Sequence, residues 1–147
     1  MLKRYRKGVF IVVYRIENNS IKYLLLLRKK HWIGWEFPKG GVNRFELRKN
    51  AAKREVKEET GQIPIKLKSY PIRGNFKYST KIRERPNIIG QTYKLYSAQI
   101  KNKNIMPDKS ESSEYKWANF DTAFKMLKWP NQKFCLNYVN KYLERNK

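Results

Sequence analysis

The sequence predicts an α/β (α+β) fold in a single domain, residues 1–147, and three observations predict it. Short β-branched runs are interleaved with a long stretch of helix formers and a closing amphipathic stripe, so strands and helices alternate along the chain. A length of 147 residues suits one core, large enough to hold a preorganised site. The chain has no internal repeat and no low-complexity tract, and its 40% hydrophobic and 31% charged residues are the balance of a globular protein.

Taken in order, Val9 to Arg15 and Lys22 to Leu27 read as two strands split by the polar turn Glu17-Asn18-Asn19-Ser20. Trp32 to Pro38 is aromatic and loop-like and runs into Lys39-Gly40-Gly41. Leu47 to Thr60 lacks proline and glycine, is rich in helix formers, and stops at Gly61. Strand character returns at Lys66 to Tyr70, Phe76 to Tyr78 and Gln91 to Ile100; Lys101 to Ser113 is polar and loop-like, and Tyr115 to Ala118 reads as a short strand. Asp121 is placed to cap a helix running through Leu127. Pro130-Asn131 opens a last helix, with Phe134, Cys135, Tyr138, Val139 and Leu143 as its apolar stripe.

Composition narrows the function classes. No apolar run approaches the roughly 20 residues that span a bilayer, and the apolar start Gly8 to Val13 is too short and too β-branched for a signal-peptide core, so the chain reads as cytoplasmic with no membrane role. Cys135 is the sole cysteine, which excludes an internal disulfide and a cysteine metal cage and leaves a small core residue. A net charge of +22 favours a polyanionic substrate or partner, with nucleotides and RNA as candidates.

The chemistry concentrates in Gly40 to Gly61. On a helix at about 100° per residue, Glu55, Glu58 and Glu59 fall on one side, at i, i+3 and i+4, while Lys49, Lys53 and Lys57 fall on the other. Three carboxylates within one turn repel one another, and their natural partner is a hard divalent cation, Mg²⁺ or Mn²⁺. Arg54 stands one turn before Glu58 and can hold a carboxylate in place with its planar fork. A solvated helix with charge pairs along its sides accounts for the acids equally well, but leaves the paired glycines and the closing glycine without a purpose.

The stretch resembles the Nudix box, G-x5-E-x7-R-E-U-x-E-E-x-G-U with U a bulky apolar residue, through Gly40, Glu46, Arg54, Glu55, Val56, Glu58, Glu59 and Gly61. Two positions depart. Gln62 stands where the last apolar residue is expected, although Ile63 follows, and the turn Asn43-Arg44-Phe45-Glu46 lacks the glycine many members place just before the first glutamate. The resemblance implies an α/β/α sandwich with a mixed sheet and a loop-helix-loop motif. It implies metal ligation by the Lys39 backbone carbonyl and by Glu55, Glu58 and Glu59, completed by an acid from a later loop, Glu111 with Glu114 as rival. It implies hydrolysis of a pyrophosphate link, in which bound ions neutralise the phosphates and acidify a water, with Glu55 as first choice of base and Glu111 as second.

Outside the box the chain is similar to the subgroup of dinucleoside tetraphosphate hydrolases and bacterial RNA 5′-pyrophosphohydrolases. Trp35-Glu36-Phe37-Pro38-Lys39-Gly40-Gly41, Ile89-Gly90-Gln91-Thr92-Tyr93-Lys94-Leu95-Tyr96 and Glu114-Tyr115-Lys116-Trp117 carry that similarity. Lys39, Lys81, Arg83, Arg85 and Lys94 can meet phosphates, and Tyr78, Tyr93 and Tyr115 can stack on a base. Core packing is the alternative for these tyrosines and the preferred account of Trp117, and a solvated loop is the alternative for residues 81–85. His31 reads as an exposed loop residue. A dinucleoside tetraphosphate is the first expected substrate and triphosphorylated RNA the second. A non-catalytic RNA-binding domain is the reading from another class, disfavoured because the box carboxylates are all present.

Overall fold

A computed structural model of the chain describes residues 2–78, 81–107 and 112–147. In chain order the elements are β1 (Arg4–Arg6), β2 (Gly8–Glu17), β3 (Ser20–Arg28), β4 (Gly34–Glu36), β5 (Lys39–Gly41), α1 (Arg48–Thr60), β6 (Lys66–Lys77), β7 (Ile88–Gln99), β8 (Ser112–Ala118), α2 (Phe120–Met126) and α3 (Pro130–Arg145). Among the described residues the eight strands form one sheet, with β1-β7-β2-β3-β4 as its backbone and β5, β6 and β8 pairing β2, β7 and β3. The sheet is mixed: β7 runs parallel to β1 and β2, and the other pairs are antiparallel.

The β2–β3 hairpin turns at Asn18 and Asn19, both left-handed (φ 51° and 62°), a conformation that asparagine tolerates and that matches the twist of the flanking strands. Side chains of β2 then alternate between two cores. Val9, Ile11 and Val13 pack with Ala51, Ala52 and Val56 of α1. Phe10, Val12 and Tyr14 pack with Cys135, Leu136, Val139 and Leu143 of α3 and Ala123 of α2. Burial on both faces explains the unbroken apolar run of β2 and gives the expected α/β/α sandwich. Cys135 is a core residue, and burial pushes its thiol up to about 12.

Several expected boundaries move. Lys66 to Tyr70 and Phe76 to Tyr78 belong to one strand, β6, whose register against β7 shifts between Ser69 and Arg73. Pro71 lies in that shift, where its missing N–H costs no ladder bond. The cap of α2 is Asn119, whose Oδ1 accepts from Thr122 N at 3.0 Å; Asp121 sits inside the first turn instead. Ser112 and Ser113 open β8 and are not loop. Phe134 of the last stripe is 57% exposed, and Leu136 takes the buried place. No helix among the described residues is long and apolar enough to cross a membrane.

Candidate active site

The site is built where β5 meets α1. Gly8, Val9 and Phe10 of β2 pair with Gly41, Gly40 and Lys39, which pins the glycine pair flat against the sheet. A Cβ at Gly40 would collide with the buried Glu55 carboxyl, so glycine is favoured there by close approach, whereas one at Gly41 would meet only the movable guanidinium end of Arg6. α1 stops at Gly61, left-handed at φ 76°, whose N–H bonds Lys57 O. The expected face split holds for the lysines: Lys49, Lys53 and Lys57 are exposed, while Glu55 and Glu59 are buried and Glu58 is exposed.

Arg54 organises the motif. Its Nε and Nη2 donate to Glu46 Oε2 and Oε1, each at 2.9 Å; Nη2 also donates to Gly41 O at 2.8 Å. Its Nη1 donates to Glu55 Oε1 at 2.9 Å and reaches Glu58 Oε1 at 3.3 Å. Glu46 Oε1 further accepts from Asn43 N. The bonds from Arg54 hold the Glu46 carboxyl down to about 2, and the carboxylates in turn raise the guanidinium further above its ordinary range.

The three helix carboxylates do not converge as the sequence predicts. Among the described residues, no three acidic, histidine or cysteine side chains stand close enough to hold a metal ion. Glu55 and Glu58 are both drawn onto Arg54, and Glu59 packs inward and lines neither of the cavities described below. The donor chemistry still suits a hard divalent ion, because Glu55 and Glu58 are anionic oxygen donors lining one cleft beside the Gly40 backbone.

Two cavities meet there. The first, of about 120 Å³, is polar, and is lined by Glu55, Glu58, Arg6, Arg28, Arg85 and Gln91 among others. The second, of about 330 Å³, is aromatic and apolar, lined by Trp32, Phe76, Tyr78 and Trp129 with Asn131 and Gln132 at the start of α3. Lys39 lines both. Its ammonium is 3.5 Å from Glu36 and 4.9 Å from the centre of the Phe76 ring. Burial lowers its pKa and the Glu36 carboxylate opposes that shift.

Of the expected substrate residues, Tyr78 and Arg85 reach the site, joined by an Arg85 Nη1 to Tyr78 Oη bond of 3.0 Å. Tyr93 does not: it is 7% exposed and stacks on Phe10 at 3.9 Å inside the core. Lys94 lies over Tyr96, on the face of β7 that belongs to the other core, and lines neither cavity. Lys81, Arg83, Glu114 and Tyr115 are exposed and line neither cavity. Glu111 lies outside the described residues. His31 is exposed, as expected, and also lines both cavities, with Nε2 4.0 Å from Glu84. Trp117 packs against the α1-side core, its Nε1 donating to Lys103 O at 2.7 Å. Sequence reasoning missed Arg6, Arg28, Gln91 and the Trp32–Trp129 pair, which pairing across the sheet and the fold of distant loops bring in without a local signal.

The two departures from the box have distinct outcomes. Ile63 is 73% exposed and replaces nothing. Gln62 ties the loop by hydrogen bonds instead: Nε2 donates to Asn102 O at 2.9 Å and Oε1 accepts from Asn102 N at 3.1 Å. Phe45, at the position where a glycine was expected, is left-handed at φ 66° and 93% exposed. Strain of about 1–2 kcal/mol at such a residue is offset in Phe45→Gly by glycine's entropy cost of about 0.5–1 kcal/mol and by the lost contact with Arg44. Phe45→Gly is therefore expected to keep stability within about 0.5 kcal/mol of wild type in urea unfolding, despite the loss of an entire aromatic ring.

Residues 4–138 match the family model described as NUDIX domain. The chain belongs to the NUDIX family. As a Nudix hydrolase it is similar to an RNA pyrophosphohydrolase of Nitratiruptor sp., 27% identical over 150 residues, covering 95% of this chain and 96% of that protein. Its fold is similar to a Caenorhabditis elegans Ap4A hydrolase binary complex (TM-score 0.75, 24% identity, 95% and 98% of the two chains). It is also similar to a NUDIX hydrolase of Listeria monocytogenes (TM-score 0.80, 21% identity, 95% and 94%).

Proposed function

We propose that this Nudix pyrophosphohydrolase removes pyrophosphate from the triphosphorylated 5′ end of RNA. The observation that carries the reading is the junction at Lys39: one aromatic seat for a base opens directly onto one polar cleft holding Glu55 and Glu58. A nucleoside 5′-polyphosphate has that layout, a flat apolar ring joined to a dense anion. From sequence alone a dinucleoside tetraphosphate stands first. RNA is preferred here because the Nitratiruptor relative spanning nearly the whole chain is named for it, and because a charge of +22 suits a long polyanion. The similarity to the Ap4A hydrolase supports the fold. In this reading the enzyme acts in the cytoplasm.

In this reading the base enters between Trp32, Phe76 and Tyr78, where any base offers a π-face. Arg28, Arg85 and Lys39 line the path of the phosphates and offset their charge. Glu55 and Glu58, with the Lys39 carbonyl, would hold magnesium or manganese, which when bound neutralises the phosphates and acidifies a water. Glu55, held between Arg54 and Gly40, takes the proton from the attacking water, with Glu111 as the second choice. A non-catalytic RNA-binding role does not explain why the box acids are kept beside the cleft.

The test is a panel of triphosphorylated RNA, diadenosine tetraphosphate, nucleoside triphosphates and ADP-ribose, each with magnesium, with products read by mass. Triphosphorylated RNA is expected to be cleaved with the highest kcat/KM. Preferential cleavage of diadenosine tetraphosphate returns the sequence-first order, and cleavage of ADP-ribose alone defeats both.

A further inference from the structure

Three cations gather on the α1 face of the sheet with no carboxylate paired to them. Arg73 of β6 stands directly opposite Lys94 of β7, and facing residues of an antiparallel pair share a face. Tyr96, two residues further along β7, shares that face and packs in the α1-side core, with the Lys94 ammonium 5.9 Å from its ring centre. Arg48, the first residue of α1, joins them. Burial raises the Tyr96 hydroxyl, and Arg48 and Arg73 both pull it back down. Burial lowers Arg48, and the like charge of Arg73 lowers it further. Among the described residues none of the three forms an ion pair with an acid. The cluster is open to solvent, since Arg48 and Lys94 are half-buried and Arg73 is exposed. Like charges held together in this way repel, and a bound anion would offset the repulsion.

The cluster stands apart from the cleft by a similar distance along two elements. Arg48 precedes Glu55 by seven residues on α1, about 10 Å along the helix axis. Lys94 follows Gln91 by three residues on β7, about 10 Å along the strand. Glu55 and Gln91 line the polar cleft, whereas Arg48, Arg73 and Lys94 line neither cavity. We infer that Arg48, Arg73 and Lys94 bind an internucleotide phosphate of the RNA, downstream of the 5′ end held in the cleft. A nucleoside triphosphate has no phosphate beyond its own polyphosphate, but an RNA chain repeats an anion at every nucleotide. Such a contact positions the chain and reads no sequence. The inference rests on the RNA reading above, but it concerns binding and needs no chemistry at the 5′ end.

The experiment compares a triphosphorylated RNA of about ten nucleotides with guanosine triphosphate. Affinity is read by competition against a fluorescent RNA, without divalent metal and across a range of salt, and cleavage is read separately with magnesium. The double variant Arg48→Gln, Arg73→Gln is expected to bind the RNA about tenfold more weakly and the triphosphate within about twofold of wild type. The slope of log affinity on log salt is expected to shrink by about 0.7, the share of one phosphate contact on a single strand. Arg73→Gln alone, at an exposed position, gives part of the same loss, and Arg73→Lys restores most of it. Because the pair repels, thermal melting of the double variant without RNA is not expected to fall. Lys125→Gln with Lys141→Gln removes the same charge from exposed positions on α2 and α3 and is expected to leave RNA affinity within about twofold. An equal loss in that control assigns the effect to the overall field and overturns the inference. So does an unchanged RNA affinity in the double variant, or an equal loss for the triphosphate. RNA binding that depends on these residues without cleavage defeats the hydrolysis reading and leaves this one standing. Cleavage of the RNA with binding indifferent to them does the reverse.

Discussion

Glu55→Gln is expected to lower kcat/KM by about 10²–10⁴-fold, the range for removing a positioned acid or base, while the fold and its melting temperature change little. The substitution keeps shape and removes charge. Glu55 is 6% exposed, pressed against Gly40, and accepts a 2.9 Å bond from Arg54 Nη1. The glutamine oxygen can accept that same bond, so packing at the glycine pair survives. What is lost is a carboxylate that can take a proton from water and neutralise a cation in the cleft. Lys57→Gln, on the exposed face of the same helix, is the control and is expected to leave kcat/KM within about twofold. Magnesium titrations of both variants separate the two roles of Glu55. A midpoint raised in Glu55→Gln alone reports ligation, and a lowered kcat at saturating metal reports proton transfer. Wild-type activity and an unchanged midpoint in Glu55→Gln would remove Glu55 from the chemistry and pass the base to Glu111.

The box was legible because its message is local. Spacings of three and four residues put Glu55, Glu58 and Glu59 on one helical side, and Gly61 ends the helix in a left-handed conformation that glycine adopts at little cost. Even there, spacing could not say that Glu59 turns inward or that Arg54 gathers Glu55 and Glu58, since the radial depth of a side chain depends on what packs against the helix. Tyr93 shows a second limit. β7 is covered on both faces, so a period of two identifies a strand without telling which face meets substrate, and Tyr93 shares its parity with the core residue Leu95. Lys81, Arg83 and Arg85 show a third. They are equivalent in composition, but a turn closed by Arg85 N to Ile82 O at 3.0 Å delivers only Arg85 to the cleft. The aromatic cavity was the least legible part. Trp32 and Trp129 come from distant loops, and Asn131 and Gln132 read in sequence as ordinary first-turn residues of a helix.

Arg54→Ala is expected to be the most damaging substitution for stability and activity together. The guanidinium bonds Glu46, Glu55 and the Gly41 carbonyl between 2.8 and 2.9 Å, with Glu58 at 3.3 Å. Removing it leaves several carboxylates facing one another with no cation between them. Its side chain is 27% exposed and those of Glu46 and Glu55 are 17% and 9%, so solvent screens only part of the cost, and a loss of about 2–4 kcal/mol is expected. Activity is expected to fall about 100-fold, because Glu55 loses its fixed position. Arg54→Lys rescues little of either, since an ammonium cannot span Glu46 with one group and Glu55 with another. The pH dependence gives an independent check. Glu46 is held at about 2 against an ordinary 4.5, so the folded chain binds its proton less readily than the unfolded chain. Its stabilisation is complete above about 4.5 and is lost as pH falls toward about 2. In Arg54→Ala that depression disappears, so the gap between wild type and variant should be widest near neutrality and narrow as pH falls through that window. Thermal melting of both proteins from pH 7 to pH 2 reads the gap directly; curves that stay parallel to the acid end would mean that Arg54 does not hold Glu46 ionised.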